Sequence, residues 1–161
     1  MLVIIDGCGV NHFEAARLVE FGSSNDSVIK EFTELRPLST QNKDNNLTDS
    51  AAAATAISSG IRTLNSHVGV DEDGRPLQNI IEYLNANHPE YLTGVVSKVH
   101  SAHATPAGFL AHNPDRKEYS QIYQSIVDYN KADLILGAGD TDDLAQPYFE
   151  KFKNLGYNVV D

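Results

Sequence analysis

A chain of 161 residues with 41% hydrophobic composition is long enough for one domain spanning 1–161 with its own core, burying about 70% of the surface its unfolded form exposes. Twelve basic against 22 acidic residues give a net charge of −10, with no run of Lys or Arg, which argues against nucleic acid or an anionic membrane surface as a partner. The single cysteine, Cys8, excludes an intramolecular disulfide and is expected to be a small buried residue.

Met1 is followed by the apolar run Leu2 to Ile5, too short for a signal-peptide core or a membrane span. The run is instead the pattern of a strand buried on both faces of a parallel sheet, ending at Asp6-Gly7. Gly22 to Asn46 is polar and rich in Ser, Asn, Asp and Thr, and reads as a long surface connection. Thr48-Asp49-Ser50 precedes the run Ala51 to Ala54, a helix start with its N-cap among the polar residues.

Further on, Leu77, Ile80, Ile81 and Leu84 have helical spacing. Gly94 to Ser97 reads as a second strand. Tyr119, Ile122, Tyr123 and Ile126 mark another helix, expected to open at Asn113 as N-cap with Pro114 at its first position. Leu134 to Leu136 and Asn158 to Val160 read as third and fourth strands. Strands alternating with helices predict an α/β fold, a doubly wound, mostly parallel sheet with helices on both faces. Ligands in such sheets sit beyond the carboxyl ends of the strands, which singles out Asp6 and the segment His100 to Pro106.

Each candidate residue has a plain structural alternative. Ser50 is explained by capping alone; functionally, a serine in the first helical turn meets backbone N–H groups and a positive dipole that stabilise an alkoxide and an incoming phosphate. Asp6, flanked by Gly7 and Gly9, could cap the next helix or serve a metal site. His100 and His103 could supply two metal ligands or simply pack. Arg116, expected just inside the helix after Pro114, could be an exposed helix residue or a planar fork for phosphate. Gly137-Ala138-Gly139 lacks the spacing of a phosphate loop and reads as a turn.

Read in order, the blocks become specific. Leu-Val-Ile-Ile-Asp-Gly-Cys-Gly-Val, then Leu-Thr-Asp-Ser-Ala-Ala-Ala-Ala-Thr-Ala, His-Ala-Thr-Pro-Ala-Gly, Ala-His-Asn-Pro-Asp-Arg and Asp-Leu-Ile-Leu-Gly-Ala-Gly resemble successive blocks of the alkaline phosphatase family. Asp49-Ser50-Ala51 is the most specific part. The resemblance implies phosphate monoester hydrolysis through a phosphoserine on Ser50, with Zn2+ and Mg2+ as cofactors. It casts Ser50 as nucleophile and zinc ligand, Asp6 as a bridge between zinc and magnesium, Thr105 as a hydroxyl ligand of magnesium, and Arg116 as the grip on two phosphate oxygens. His103 stands where family members carry aspartate, histidine or lysine, and is assigned to the magnesium site. An acidic surface is compatible with this, because bound cations set the field at such a site locally.

The family draws further zinc ligands and a magnesium-binding glutamate from later in its chain, whereas no histidine follows Asp133 here. The expectation is therefore the N-terminal portion of a catalytic domain, with a homodimer or a missing C-terminal half as partner. Members of the family are periplasmic or extracellular; the short apolar run after Met1 is not expected to be a signal peptide. Two rival readings are a non-catalytic metal- or phosphate-binding module and a phosphodiesterase or sulfatase on the same architecture. Arg116 suits a dianionic monoester and argues against the latter.

Overall fold

The apolar runs after Thr93 and Asp133 find each other. Gly94–Val96 (β1) and Leu134–Leu136 (β2) pair as parallel strands, with Gly94 opposite Leu134, Val95 opposite Ile135 and Val96 opposite Leu136. Between them the chain runs through Ala104–Ala107 (α4) and Tyr119–Tyr129 (α5), the helical crossover that a parallel pair requires. Earlier in the chain lie Val10–Phe21 (α1), Ser50–Ser59 (α2) and Ile80–Asn87 (α3), and a 3₁₀ turn leads into Phe149–Asn154 (α6) near the end. This computed structural model describes residues 1–22, 34, 36–129, 131–139 and 144–160, in two compact units, Met1–Ser39 and Thr40–Asp161. The fold is α/β.

In the first unit, α1 begins after Gly9, whose N–H donates to His12 Nδ1 at 3.0 Å. The N-cap is thus Gly9, paired with His12. Leu2 to Ile5 forms no strand. A strand exists through its ladder, and the described residues of this unit contain a helix but no strand for it to pair with. Cys8, expected to be buried, is partly exposed, in the turn where its N–H meets the Ile5 carbonyl at 3.3 Å.

The second unit carries the core. Ala51, Val68, Ile81, Ala102, Leu110, Ile122 and Ile126 pack in one cluster, and each large aliphatic among them contributes about 1.5–3 kcal/mol by leaving water. The alanine run lets α4 approach α2 closely: a Cβ on Gly108 would come within 2.7 Å of the Ala54 Cβ. Ser58, buried at this crossing, donates its hydroxyl to the Gly108 carbonyl at 2.6 Å. α3 is opened by a capping box, Asn79 with Glu82, which starts the helix after Leu77.

Two further expectations are corrected. α5 begins at Tyr119, not at Pro114. The Asn113 side chain accepts the Asp115 N–H at 2.8 Å and the Asp115 side chain accepts the Lys117 N–H at 2.9 Å, successive turns that compete with helix formation. The Asn113 backbone is committed elsewhere, exchanging both hydrogen bonds with Val68 at 2.8 Å. Asn158 to Val160 is not a strand either. Of the polar connection from Gly22 to Asn46, residues 23–33 and 35 lie outside the described residues, and 36–46 are loop and turn.

Candidate phosphate-binding site at the start of helix α2

Asp49 is extended, with φ −92° and ψ 174°, and its Oδ1 accepts the Ala52 N–H at 2.9 Å, which makes it the N-cap of α2. Ser50 is the first helical residue, at the positive end of the helix dipole. The other carboxylate oxygen of Asp49 accepts from the Ser66 N–H at 2.9 Å and from Arg116 Nη1 at 3.1 Å. The Asp49 N–H donates to Asn65 Oδ1 at 3.0 Å. One carboxylate thus ties the helix start, the 65–66 loop and a guanidinium 67 positions away.

Arg116 is not on a helix. It sits in the turn after Asn113, where its own N–H donates to the Ser66 carbonyl at 2.9 Å. Ser66 therefore gives its N–H to Asp49 and its carbonyl to Arg116, and it does so at φ 71°, a left-handed conformation that costs a non-glycine residue about 1–2 kcal/mol. Such strain persists where surrounding contacts over-determine the backbone. The Arg116 and Asp49 side chains are 25% and 23% exposed, so the pair is shielded yet open to a ligand from solvent. A guanidinium with one nitrogen on Asp49 keeps further N–H donors in its planar fork.

His103 is the N-cap of α4 and Thr105 lies within that helix, which packs on α2. The His103 ring meets His100 edge-on, centroids 5.6 Å apart, and His100 in turn meets Tyr119 edge-on at 4.7 Å. Asp6 belongs to the first unit, where it is exposed in the turn with Gly7 at φ +68°. Gly137 follows β2 and its backbone lies against Ser101, with a built Cβ 2.8 Å from the Ser101 hydroxyl; residues 137–139 are irregular rather than the expected turn. Among the described residues, no three His, Cys, Asp or Glu side chains converge as ligands for a metal. A tetrahedral zinc site needs three or four such donors, so these residues do not complete a metal site by themselves.

The stretch 112–116 that carries Arg116 is joined to 66–69 as a short ribbon by the Val68–Asn113 bonds and the Arg116–Ser66 bond, and its His112 belongs to a buried pair. The His112 side chain, 4% exposed, places Nε2 2.8 Å from Glu82 Oε1 and Nδ1 2.6 Å from the Gly69 carbonyl. Burial acts to lower the His112 pKa, but the Glu82 carboxylate and the Gly69 carbonyl outweigh it and leave it raised above 6.5. Burial likewise acts to raise Glu82, and the His112 ring, the Asn79 N–H and the Lys131 charge leave it lowered. Gly69 itself has φ +60°, and a Cβ there would fall 2.1 Å from the Ala111 carbonyl.

The model of the family described as alkaline phosphatase matches residues 1–144. The chain belongs to the alkaline phosphatase family. Alkaline phosphatase 4 of Bacillus subtilis is 32% identical over 99% of this chain and 37% of its own length. Among solved structures, the cold-active alkaline phosphatase of the psychrophile Shewanella sp. superposes with a TM-score of 0.77 at 30% identity, covering 97% of this chain and 40% of that one. A mutant of TAB5 alkaline phosphatase with Mg bound in its M3 site gives 0.71 at 28% identity, over 89% of this chain and 40% of that one. The chain thus spans about two fifths of the length of these relatives.

For this alkaline phosphatase family chain, Asp49 is the residue whose full role escaped the sequence. Its capping was legible as a polar residue before an alanine run; its hold on Arg116 and Ser66 joins segments with no local signal between them. The Glu82–His112 pair likewise links residues 30 positions apart.

Proposed function

We propose that this chain carries the nucleophile and phosphate grip of a phosphate monoester hydrolase, with Ser50 as nucleophile and Arg116 as the grip. The observation that supports this most is the Asp49 carboxylate, which caps the helix opening at Ser50 and holds Arg116 at 3.1 Å. In the first step Ser50 Oγ bonds to phosphorus as the ester P–O bond breaks, and the serine proton leaves with the departing alcohol. In the second, water displaces the serine oxygen, one water proton returns to Ser50, and inorganic phosphate is released. The guanidinium and the positive end of α2 offset the charge on the phosphoryl oxygens as bonds to phosphorus are made and broken. By resemblance, Zn2+ and Mg2+ would supply Lewis-acid chemistry, with Ser50, Thr105 and His103 of the second unit as donors and Asp6, in the first unit, a donor on the resemblance alone.

The lack of a converging three-donor group among the described residues favours a second reading, in which this chain alone binds phosphate or metal without turnover. Hydrolysis of a chromogenic phosphate monoester by the purified chain with zinc and magnesium, beside Ser50→Ala and a chelator control, separates the two. Turnover abolished by both controls supports the hydrolase reading for the chain as it stands. Turnover that survives Ser50→Ala refutes Ser50 as nucleophile. Phosphate binding without turnover, weakened in Arg116→Ala, supports the second reading.

A further inference from the structure

We propose that His112 is a positioning residue, held as an imidazolium that latches the ribbon bearing Arg116 to α3 and to the Gly69 turn, and that raising the pH releases it. A backbone carbonyl can only accept, and so can an ionised carboxylate; a ring that satisfies Gly69 at 2.6 Å and Glu82 at 2.8 Å does so by donating from both nitrogens. A neutral ring would turn one lone pair toward an acceptor in a site where the side chain is 4% exposed and water cannot make good the loss.

Every element around the ring contributes to holding it. From α3, Glu82 is fixed by its second oxygen, which accepts the Asn79 N–H at 3.0 Å. From α5, the Ser125 hydroxyl accepts the His112 N–H at 2.7 Å, and the Tyr129 ring meets the imidazole edge-on with centroids 5.0 Å apart. Lys131 acts on the pair through its charge on Glu82. The Gly69 carbonyl is the fixed end of the ribbon: it also accepts the Leu77 N–H at 2.9 Å, next to the reciprocal Val68–Asn113 bonds at 2.8 Å. From there the ribbon continues to the Ser66 carbonyl and the Arg116 N–H at 2.9 Å. His112 touches neither Asp49 nor Arg116 in these contacts; it acts on them through the ribbon.

The raised His112 value fixes the direction. Its contribution is fully present below the ordinary histidine value of about 6.5 and is lost as pH rises through the folded value. Glu82, lowered in the folded state, contributes above the ordinary carboxylate range and loses that contribution as pH falls through its folded value. The latch is therefore strongest between the two. It goes beyond the hydrolase reading, because it needs no turnover.

The test uses the full 161-residue chain, labelled with ¹⁵N. Imidazole nitrogen shifts followed against pH should show both His112 nitrogens protonated, with a midpoint above that of an ordinary histidine. Amide exchange, corrected for its intrinsic pH dependence, should show protection at Val68 and Asn113 falling about tenfold through that midpoint, the loss expected for one charge-assisted hydrogen bond. Protection at Ser97, which donates to Leu136 in the strand pair at 2.9 Å, should not follow. Glu82→Gln preserves the capping box and should lower the midpoint. A singly protonated ring facing a protonated Glu82 would overturn the proposal. So would protection at Val68 and Asn113 that tracks Ser97, or a midpoint indifferent to Glu82→Gln. The wild-type titration and exchange decide the matter even if the variant does not fold, and a negative hydrolysis assay leaves both readouts intact.

Discussion

Replacing Asp49 with alanine removes three acceptor contacts at once, and each can be valued separately. The cap on the Ala52 N–H at 2.9 Å contributes about 1 kcal/mol. The bond from the Ser66 N–H at 2.9 Å contributes about 1 kcal/mol, since a backbone donor in a partly buried loop is left unmet. The Arg116 ion pair, with both side chains about a quarter exposed, adds about 0.5–1 kcal/mol after allowance for solvent. Asp49→Ala should therefore cost about 3 kcal/mol in urea unfolding of the full chain. Asp49→Asn keeps an oxygen for Ala52 but turns its amide N–H groups toward the Ser66 and Arg116 donors, and should cost about 2 kcal/mol. Arg116→Ala leaves both backbone bonds to Asp49 in place and should cost about 1 kcal/mol or less. The order Ala, Asn, then Arg116→Ala is the test. If Arg116→Ala matched Asp49→Ala, the ion pair would dominate the cluster and the reasoning would fail; the same holds if Asp49→Ala cost under about 1 kcal/mol.

Gly69→Ala combines a left-handed φ of +60° with a Cβ 2.1 Å from the Ala111 carbonyl, and should lower stability by about 3 kcal/mol or more in the same unfolding assay. Thr55 is fully buried and bridges two backbone groups, accepting the Gly69 N–H at 2.8 Å and donating to the His67 carbonyl at 3.1 Å. Thr55→Val strands both, so a cost of about 2–4 kcal/mol is expected, against a change below about 1 kcal/mol if neither bond matters. The urea midpoint of the wild type should fall on acidification through the lowered Glu82 value and again as pH rises through the raised His112 value; Glu82→Gln should flatten both limbs.

The parts of the fold legible in the sequence are those written locally. The runs Gly94 to Ser97 and Leu134 to Leu136 are short, apolar and bounded, and 94–96 and 134–136 are strands. The spacing of Tyr119, Ile122, Tyr123 and Ile126 predicts a helix, and in α5 the last three are buried together with Ser125 while Tyr119 is half-buried. Leu2 to Ile5 has an equally good strand pattern, yet composition cannot supply a ladder partner, and pairing is what makes a strand. Asn113-Pro114 has an equally good helix-start pattern, yet Asn113 is bonded to Val68, a non-local choice that outweighs the local propensity. The same limit applies to the site. Ser50 and Arg116 were reached by resemblance and chemistry, whereas the carboxylate joining them and the His112–Glu82 pair behind them depend on contacts across 67 and 30 positions.

The loop from Asn65 to Gly69 bears on how this family can vary. Its backbone enters the left-handed region at Ser66 and again at Gly69. The peptide groups of Ser66, Val68 and Gly69 all have assigned partners, in Asp49, Arg116, Asn113, Thr55 and Leu77. A loop fixed in this way is held by its length as well as by its side chains, since Asn65 Oδ1 also accepts the Asp49 N–H and His67 Nδ1 meets the Asp71 carbonyl at 2.8 Å. One residue inserted or deleted between Ser66 and Gly69 would leave either the Asp49 end or the Asn113 end out of phase. This stretch is therefore expected to keep its length among relatives.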